Sequence, residues 1–376
     1  MKLKAFIYLI FIIFLVGCNQ KREDTVIFET EIYKPKYSKN FSINCDKDSF
    51  NVQISIYNPW QGADNIISQF LIINDSVSSF VPSFKTMKGE AKRIVCMSST
   101  HVAMLDALDA VNKIVGVSGL QYISNSYVQE NKNNIIDIGY EGNIDYEKLI
   151  SLRPDIILLY SVNNASSMEP KLKELGIPFI YIGDYLEESP LGKAEWIIPI
   201  AEIIGKRELG LLKFNEIANK YNSLKDNVTK KYNTKPKVMV NSPFAGSWFM
   251  PSTESYVAQM ISDAGGEYIY TKNTGNTSKP IDIEEALMLV SEADYWINIG
   301  NLNSLEEVKK SFPKFQSAKC IIEDKLYNNN YRSTFSGGND CYESGIINPD
   351  IILRDMIKIF HPDLIKEEFV YYHQLE

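Results

Sequence analysis

Histidine is scarce in this 376-residue sequence, which holds only His101, His361 and His373. A bare transition-metal site needs several imidazoles joined by carboxylates, so three histidines, two of them in the C-terminal tail, argue against one. Five cysteines in so long a chain do not make a disulfide scaffold. No G-x-S-x-G elbow, P-loop or G-x-G-x-x-G turn is present, and Ser99 with His101, two apart at a helix start, points apart rather than forming an activated pair. Enzymatic nucleophile and nucleotide chemistry therefore lack their usual residues. Cationic runs are also missing: 39 Lys and Arg against 47 Asp and Glu give a formal charge of −8, which excludes the clustered cations that nucleic acid demands. The acidic balance suits solubility and steering.

What is present begins at the N-terminus. Met1-Lys2-Leu3-Lys4 is a short basic region, Phe6 to Val16 is apolar, and Leu15-Val16-Gly17-Cys18 closes the run. The apolar stretch is short for a membrane-spanning helix of about 20 residues and reads as a secretory signal over residues 1–17. Small residues before a cysteine resemble a bacterial lipobox, which would make Cys18 the diacylated first residue of the mature chain. Residues 18–30 then read as a polar, lipidated tether. No later stretch is long and apolar enough to span a bilayer.

One segment occurs twice. Ile144-Asp145-Tyr146-Glu147-Lys148-Leu149 and Ile281-Asp282-Ile283-Glu284-Glu285-Ala286-Leu287 each open an apolar helical pattern, then lead through an Asp into a strand-like run. A repeat of this kind implies two similar α/β lobes with a Glu at a matching place on each. Either acid also suits the first turn of a helix, with Asp145 and Asp282 as caps.

Residues 31–90 read as a β-rich extension, with a hairpin of Phe41–Cys45 and Asn51–Tyr57 and a third strand at Phe70–Ile73. Residues 91–190 alternate strands with helices as a first parallel α/β lobe. Residues 191–233 read as a connecting helix, with Gly205 a minor interruption, and 234–376 as a second α/β lobe with strands at Lys237–Asn241, Tyr295–Ile299 and Cys320–Glu323. The expected fold class is thus α/β: two Rossmann-like lobes joined by a single long helix, with an N-terminal β-rich extension. Cys96 and Cys320 fit buried apolar positions, and Cys320 with Cys341 is the candidate pair for a bridge.

Several motifs, in order, resemble the solute-binding proteins of cobalamin, siderophore and haem ABC importers. They are Arg93-Ile94-Val95-Cys96-Met97-Ser98-Ser99-Thr100-His101, Leu152-Arg153-Pro154-Asp155-Ile156-Ile157, Ser247-Trp248-Phe249-Met250-Pro251 and Gly337-Gly338-Asn339-Asp340. The resemblance implies a ligand cleft between two lobes whose stiff connector limits closure to a few degrees. It also implies one Glu per lobe, Glu147 and Glu284, docking onto arginines of an inner-membrane permease dimer. The ligand would be a ferric chelate, haem or cobalamin, with no resident cofactor and the chain a monomer. Candidate ligand contacts are Ser98, Ser99, Thr100 and His101 at a strand end, the rings of Tyr122, Tyr140, Trp248 and Phe249, and Arg332 for an anionic chelate. An alternative is a surface-exposed capture lipoprotein that hands its ligand to an outer-membrane receptor.

Overall fold

The computed structural model describes residues 28–47, 50–74, 83–232, 234–244, 246–275 and 277–376; the signal segment and Cys18 lie outside them. Three sheets organise the chain. The extension is a five-stranded meander of β1 (Thr30–Tyr33), β2 (Phe41–Cys45), β3 (Val52–Tyr57), β4 (Ile67–Ile73) and β5 (Thr86–Lys88), antiparallel except for the β4–β5 pair. In β2 buried and half-buried residues alternate, as expected of a sheet packed on one face, and Phe41 lies 5.1 Å from the Trp196 ring.

The first lobe is a parallel sheet in the order β12-β11-β6-β7-β8. Its strands are β6 (Ile94–Cys96), β7 (Ile114–Val117), β8 (Ile136–Asp137), β11 (Ile156–Leu159) and β12 (Phe179–Tyr181), with a ribbon of β9 (Gly139–Tyr140) and β10 (Asn143–Ile144) beside it. β6 and β11 are buried at every position, which is why their sequences are unbroken apolar runs rather than alternating ones. The second lobe repeats the plan in the order β15-β13-β17-β18-β19, parallel apart from the last pair. Here β13 is Lys237–Val240, β15 Glu267–Tyr268, β17 Tyr295–Ile297, β18 Leu326–Asn328 and β19 His373–Gln374, with a ribbon of β14 (Trp248–Met250) and β16 (Lys279–Ile281). The two-lobe α/β expectation holds.

The connector departs from the single helix expected. It forms three helices, Pro190–Glu195, Ile197–Ile203 and Arg207–Lys231. Gly205 adopts a left-handed φ of 70°, the usual terminator of a helix, so the chain turns instead of running on. A Cβ on Gly210 would stand 2.4 Å from that of Ala201, so the last two helices fold back on one another with glycine permitting the approach. The Arg207–Lys231 helix reaches the second lobe, where the Tyr221 hydroxyl donates to Asp263 Oδ2 at 2.7 Å, and so does the first of the three, whose Lys193 ammonium lies 5.4 Å from the Tyr256 ring.

The extension is fastened at this same place. Glu195 is wholly buried, and its carboxylate accepts from the Tyr33 hydroxyl (2.6 Å) and the N–H groups of Lys36 (2.7 Å), Tyr37 (2.8 Å) and Ser38 (2.7 Å). Four donors replace the water that a buried carboxylate loses. Two further expectations are corrected. Lys319–Ile322 is a helical turn, and the strand begins only at Leu326, because the three apolar residues Cys320, Ile321 and Ile322 are too few for periodicity to distinguish the two. No disulfide joins Cys320 and Cys341, both of which are buried free thiols, as is Cys96.

Candidate functional site

Parallel strands deliver their C-terminal ends, and the loops that follow, to one edge of each lobe. In the second lobe these loops enclose a cavity of about 570 Å³ lined by Asn241, Phe244, Asn298, Asn301, Asn329 and Tyr342, among others. Asn241 (φ 65°) and Asn298 (φ 59°) end β13 and β17 in the left-handed region, which asparagine tolerates better than most residues. Several amides are held by the fold. Asn241 Nδ2 donates to the Phe249 carbonyl at 3.0 Å, Asn298 Oδ1 accepts from the Tyr372 hydroxyl at 2.9 Å, and Asn329 Nδ2 donates to the Tyr342 hydroxyl at 3.0 Å. A smaller cavity of about 200 Å³, reaching Cys341 and Tyr372, shares Asn241, Asn298, Asn329 and Tyr342 with it.

The first lobe supplies the facing loops. Asp137, at the end of β8, accepts from the N–H groups of Gly119 (3.2 Å), Leu120 (3.1 Å) and Gly139 (3.0 Å) and so ties together the loops that carry Tyr122 and Tyr140. Those two rings are exposed and lie 6.4 Å apart, tilted by 51°. Across the gap Gly338 meets Tyr122: a Cβ there would fall 1.9 Å from the Tyr122 carbonyl oxygen. The Ser124 N–H, next along, donates to Glu343 Oε2 at 2.7 Å. Burial pushes the Glu343 carboxyl up to about 7, with Asp340 and Asp106 adding to the rise while the Ser124 and Asn125 main chain opposes it. A second, more charged cavity of about 430 Å³ opens behind this contact, between the Ser99–Ala107 helix, the connector and Arg332, Asp340 and Glu343.

The sequence-derived candidates divide. Tyr122, Tyr140 and Phe249 are exposed on strand-end loops or beside them. Ser98, Ser99 and Thr100 end β6 half-buried; Ser98 caps the following helix by accepting from the Thr100 N–H at 3.3 Å, and its hydroxyl meets that of Thr100 at 2.9 Å. His101 turns inward instead. It is completely buried, neither ring nitrogen has a hydrogen bond of acceptable geometry, and burial holds its pKa down at about 3, offset only in part by the Leu158 main chain alongside. Trp248 is likewise in the core, stacked on Trp296 at 5.4 Å with its indole N–H given to the Val240 carbonyl at 2.9 Å. Strand alternation faces Trp248 inward and its neighbour Phe249 outward. Arg332 is exposed, with Nε 3.0 Å from Asp340 Oδ2 as an ion pair that lacks hydrogen-bond alignment, and it borders the second cavity.

Glu147 and Glu284 are both exposed in the first turns of the Tyr146–Leu152 and Ile283–Glu292 helices. Asp145 and Asp282 cap those helices, accepting from the Lys148 N–H at 3.0 Å and the Glu285 N–H at 2.7 Å. The caps leave the two glutamates free of that duty. Sequence reasoning missed the asparagines at the strand ends; clustered Asn after an apolar strand was the available signal.

The family profile described as "Periplasmic binding protein" matches residues 94–329. An uncharacterized lipoprotein of Methanocaldococcus jannaschii is 27% identical over 357 residues, covering 88% of this chain and 82% of the relative. A vitamin B12-binding protein of Vibrio campbellii is 26% identical over 211 residues, covering 53% and 68%. In fold, a periplasmic haem-binding protein from Pseudomonas aeruginosa superposes with a TM-score of 0.59 at 15% identity, over 76% of this chain and 98% of that one. With paired lobes, strand-end loops that meet across a gap, and a profile matched from β6 through β18, the chain belongs to the periplasmic binding protein family, the substrate-binding proteins of ABC importers, and is not an enzyme.

Proposed function

We propose that this chain is the lipid-anchored, monomeric solute-binding component of an ABC importer. It takes an iron chelate, haem or cobalamin into the gap between its lobes, is held to the membrane through Cys18, and presents the loaded form to a permease dimer through Glu147 and Glu284. The observation that carries the reading is the contact of the Tyr122 and Gly338 loops beside a cavity of about 570 Å³, within the ordinary range of small-molecule sites. The vitamin B12-binding and haem-binding proteins named above support the ligand classes, and the lipoprotein relative supports the anchor.

Docking rests on two exposed carboxylates, one per lobe, at equivalent helix starts. A carboxylate meeting a fixed guanidinium makes an oriented, charge-assisted contact, and its loss should affect transport without touching the cleft. Reversing both charges, Glu147→Lys with Glu284→Lys, tests this in cells that carry the cognate permease. Uptake of radiolabelled ligand should disappear while affinity measured on purified protein stays unchanged; undiminished uptake would remove the docking role.

A further inference from the structure

Most of the loops at the strand ends are free of charge, although charged residues make up 23% of the chain; the exceptions are Glu141 beside Tyr140, Asp184, Glu187 and Glu188 after β12, and Lys272 after β15. In the second lobe, residues 241–247 (Asn-Ser-Pro-Phe-Ala-Gly-Ser), 298–304 (Asn-Ile-Gly-Asn-Leu-Asn-Ser), 328–331 (Asn-Asn-Asn-Tyr) and 333–339 (Ser-Thr-Phe-Ser-Gly-Gly-Asn) hold no acid and no base. The same is true in the first lobe of residues 97–100, 118–126 and 160–168, which follow β6, β7 and β11. The single cation between these runs, Arg332, is already paired with Asp340 at 3.0 Å. All the residues that line the cavity of about 570 Å³ are uncharged.

What replaces charge is amide and ring. After the bonds described above, the Asn298 Nδ2 and the Oδ1 atoms of Asn241 and Asn329 have no protein partner among the described residues. One donor and two acceptors of amide type therefore border the cavity, a set that matches amide or hydroxamate groups. Exposed Phe244 and Tyr342 line it, and further rings, Tyr331 and Phe335 in the second lobe and Tyr122 and Tyr140 in the first, are exposed on strand-end segments. Phe335 is fully exposed. Rings left in solvent on the loops of a binding cleft supply apolar area that a ligand can cover.

We infer that the ligand is a bulky, net-neutral chelate that carries several amide or hydroxamate groups, and not one with free carboxylates or catecholate charge. This rests on the solute-binding reading and narrows it. An anionic ligand seated in the cavity of about 570 Å³ would lose water and find no guanidinium or ammonium among its lining residues, because Lys213, Lys220 and Arg332 line the other cavity, so its charge would go uncompensated. A neutral ligand has no such charge to desolvate and meets amides that pair with its own.

The test is equilibrium binding of purified mature protein to four probes: cyanocobalamin and the ferric trihydroxamate ferrichrome, both neutral, against haem with its two propionates and a trianionic ferric tris-catecholate. One neutral probe should bind at least ~100-fold more tightly than either anion, since an uncompensated charge costs several kcal/mol. Which neutral probe binds separates an amide-bearing corrinoid from a hydroxamate. Comparable or tighter binding of haem or the tris-catecholate would overturn the inference and leave the transport reading standing. Failure of all four would remove both. In a second arm, Asn301→Lys places an ammonium on an exposed cavity residue. Tris-catecholate affinity should rise roughly tenfold, the effect of one partly exposed charge pair; no change would mean that these loops do not line the site.

Discussion

Gly338 lies against the carbonyl oxygen of Tyr122 so closely that no side chain could stand between them: a Cβ would fall 1.9 Å from that oxygen and 2.9 Å from Thr334 Oγ1. The first neighbour is main chain, which cannot swing aside as a side-chain end can. Gly338→Ala should therefore hold the lobes apart while leaving each one folded. The strain, of order 1–3 kcal/mol, would appear as a ligand affinity weakened about tenfold or more and an enlarged radius of gyration in solution scattering, with the melting profile of each lobe retained. An unchanged affinity would show that the contact is dispensable to closure.

Glu195 offers a test of a different part of the molecule. Its two oxygens take one hydroxyl and three main-chain N–H groups from the first turns of the extension. Glu195→Gln keeps the shape but turns one acceptor into a donor facing donors. A loss of about 3 kcal/mol is expected, since a hydrogen bond to a buried charged group contributes about 1.5–3 kcal/mol. Urea unfolding followed by tryptophan fluorescence measures it, because Trp196 packs at this junction.

Two buried titratable groups pull the pH dependence in opposite directions. Burial raises Glu343 from its ordinary 4.5 to about 7, so its contribution is fully present below pH 4.5 and is lost as pH rises through 7, about 3 kcal/mol in all. His101 is lowered from 6.5 to about 3, so its contribution is present above pH 6.5 and is lost as pH falls through 3. Relative to the unmodified protein, Glu343→Gln should gain stability between pH 5 and 7, and His101→Leu should gain below pH 6. His101→Leu should also leave ligand affinity intact. Denaturant midpoints across this range, together with one ligand titration, separate the two groups; parallel curves for both variants would contradict the assignment.

Much of the architecture was legible in the residues because its signals recur along the chain. Unbroken apolar runs at Ile94–Cys96 and Ile156–Leu159 announced buried parallel strands, and the duplicated Asp-Tyr-Glu and Asp-Ile-Glu segments announced two lobes with a capped helix in each. The turn at Gly205 was underweighted because helical periodicity continues on both sides of it, although the backbone reverses there. At the site the sequence located the strand ends, but the direction of a side chain depends on packing that no local pattern encodes. His101 and Trp248 follow strand-end motifs and still face the core, whereas Phe249, one residue along, faces out. Asn241, Asn298 and Asn329 went unnoticed because each is individually ordinary; their meaning lies in convergence from three separate strands.

The grip on Tyr33 to Ser38 has a mechanical meaning as well as an energetic one. The turn after β1 is held by the Pro190–Glu195 helix, the first of the connector. The same extension also rests on the first lobe, with the Trp60 ring 5.6 Å from that of Tyr181 and the Phe84 ring 6.0 Å from that of Phe179, so it braces the β12 edge and the connector as one unit.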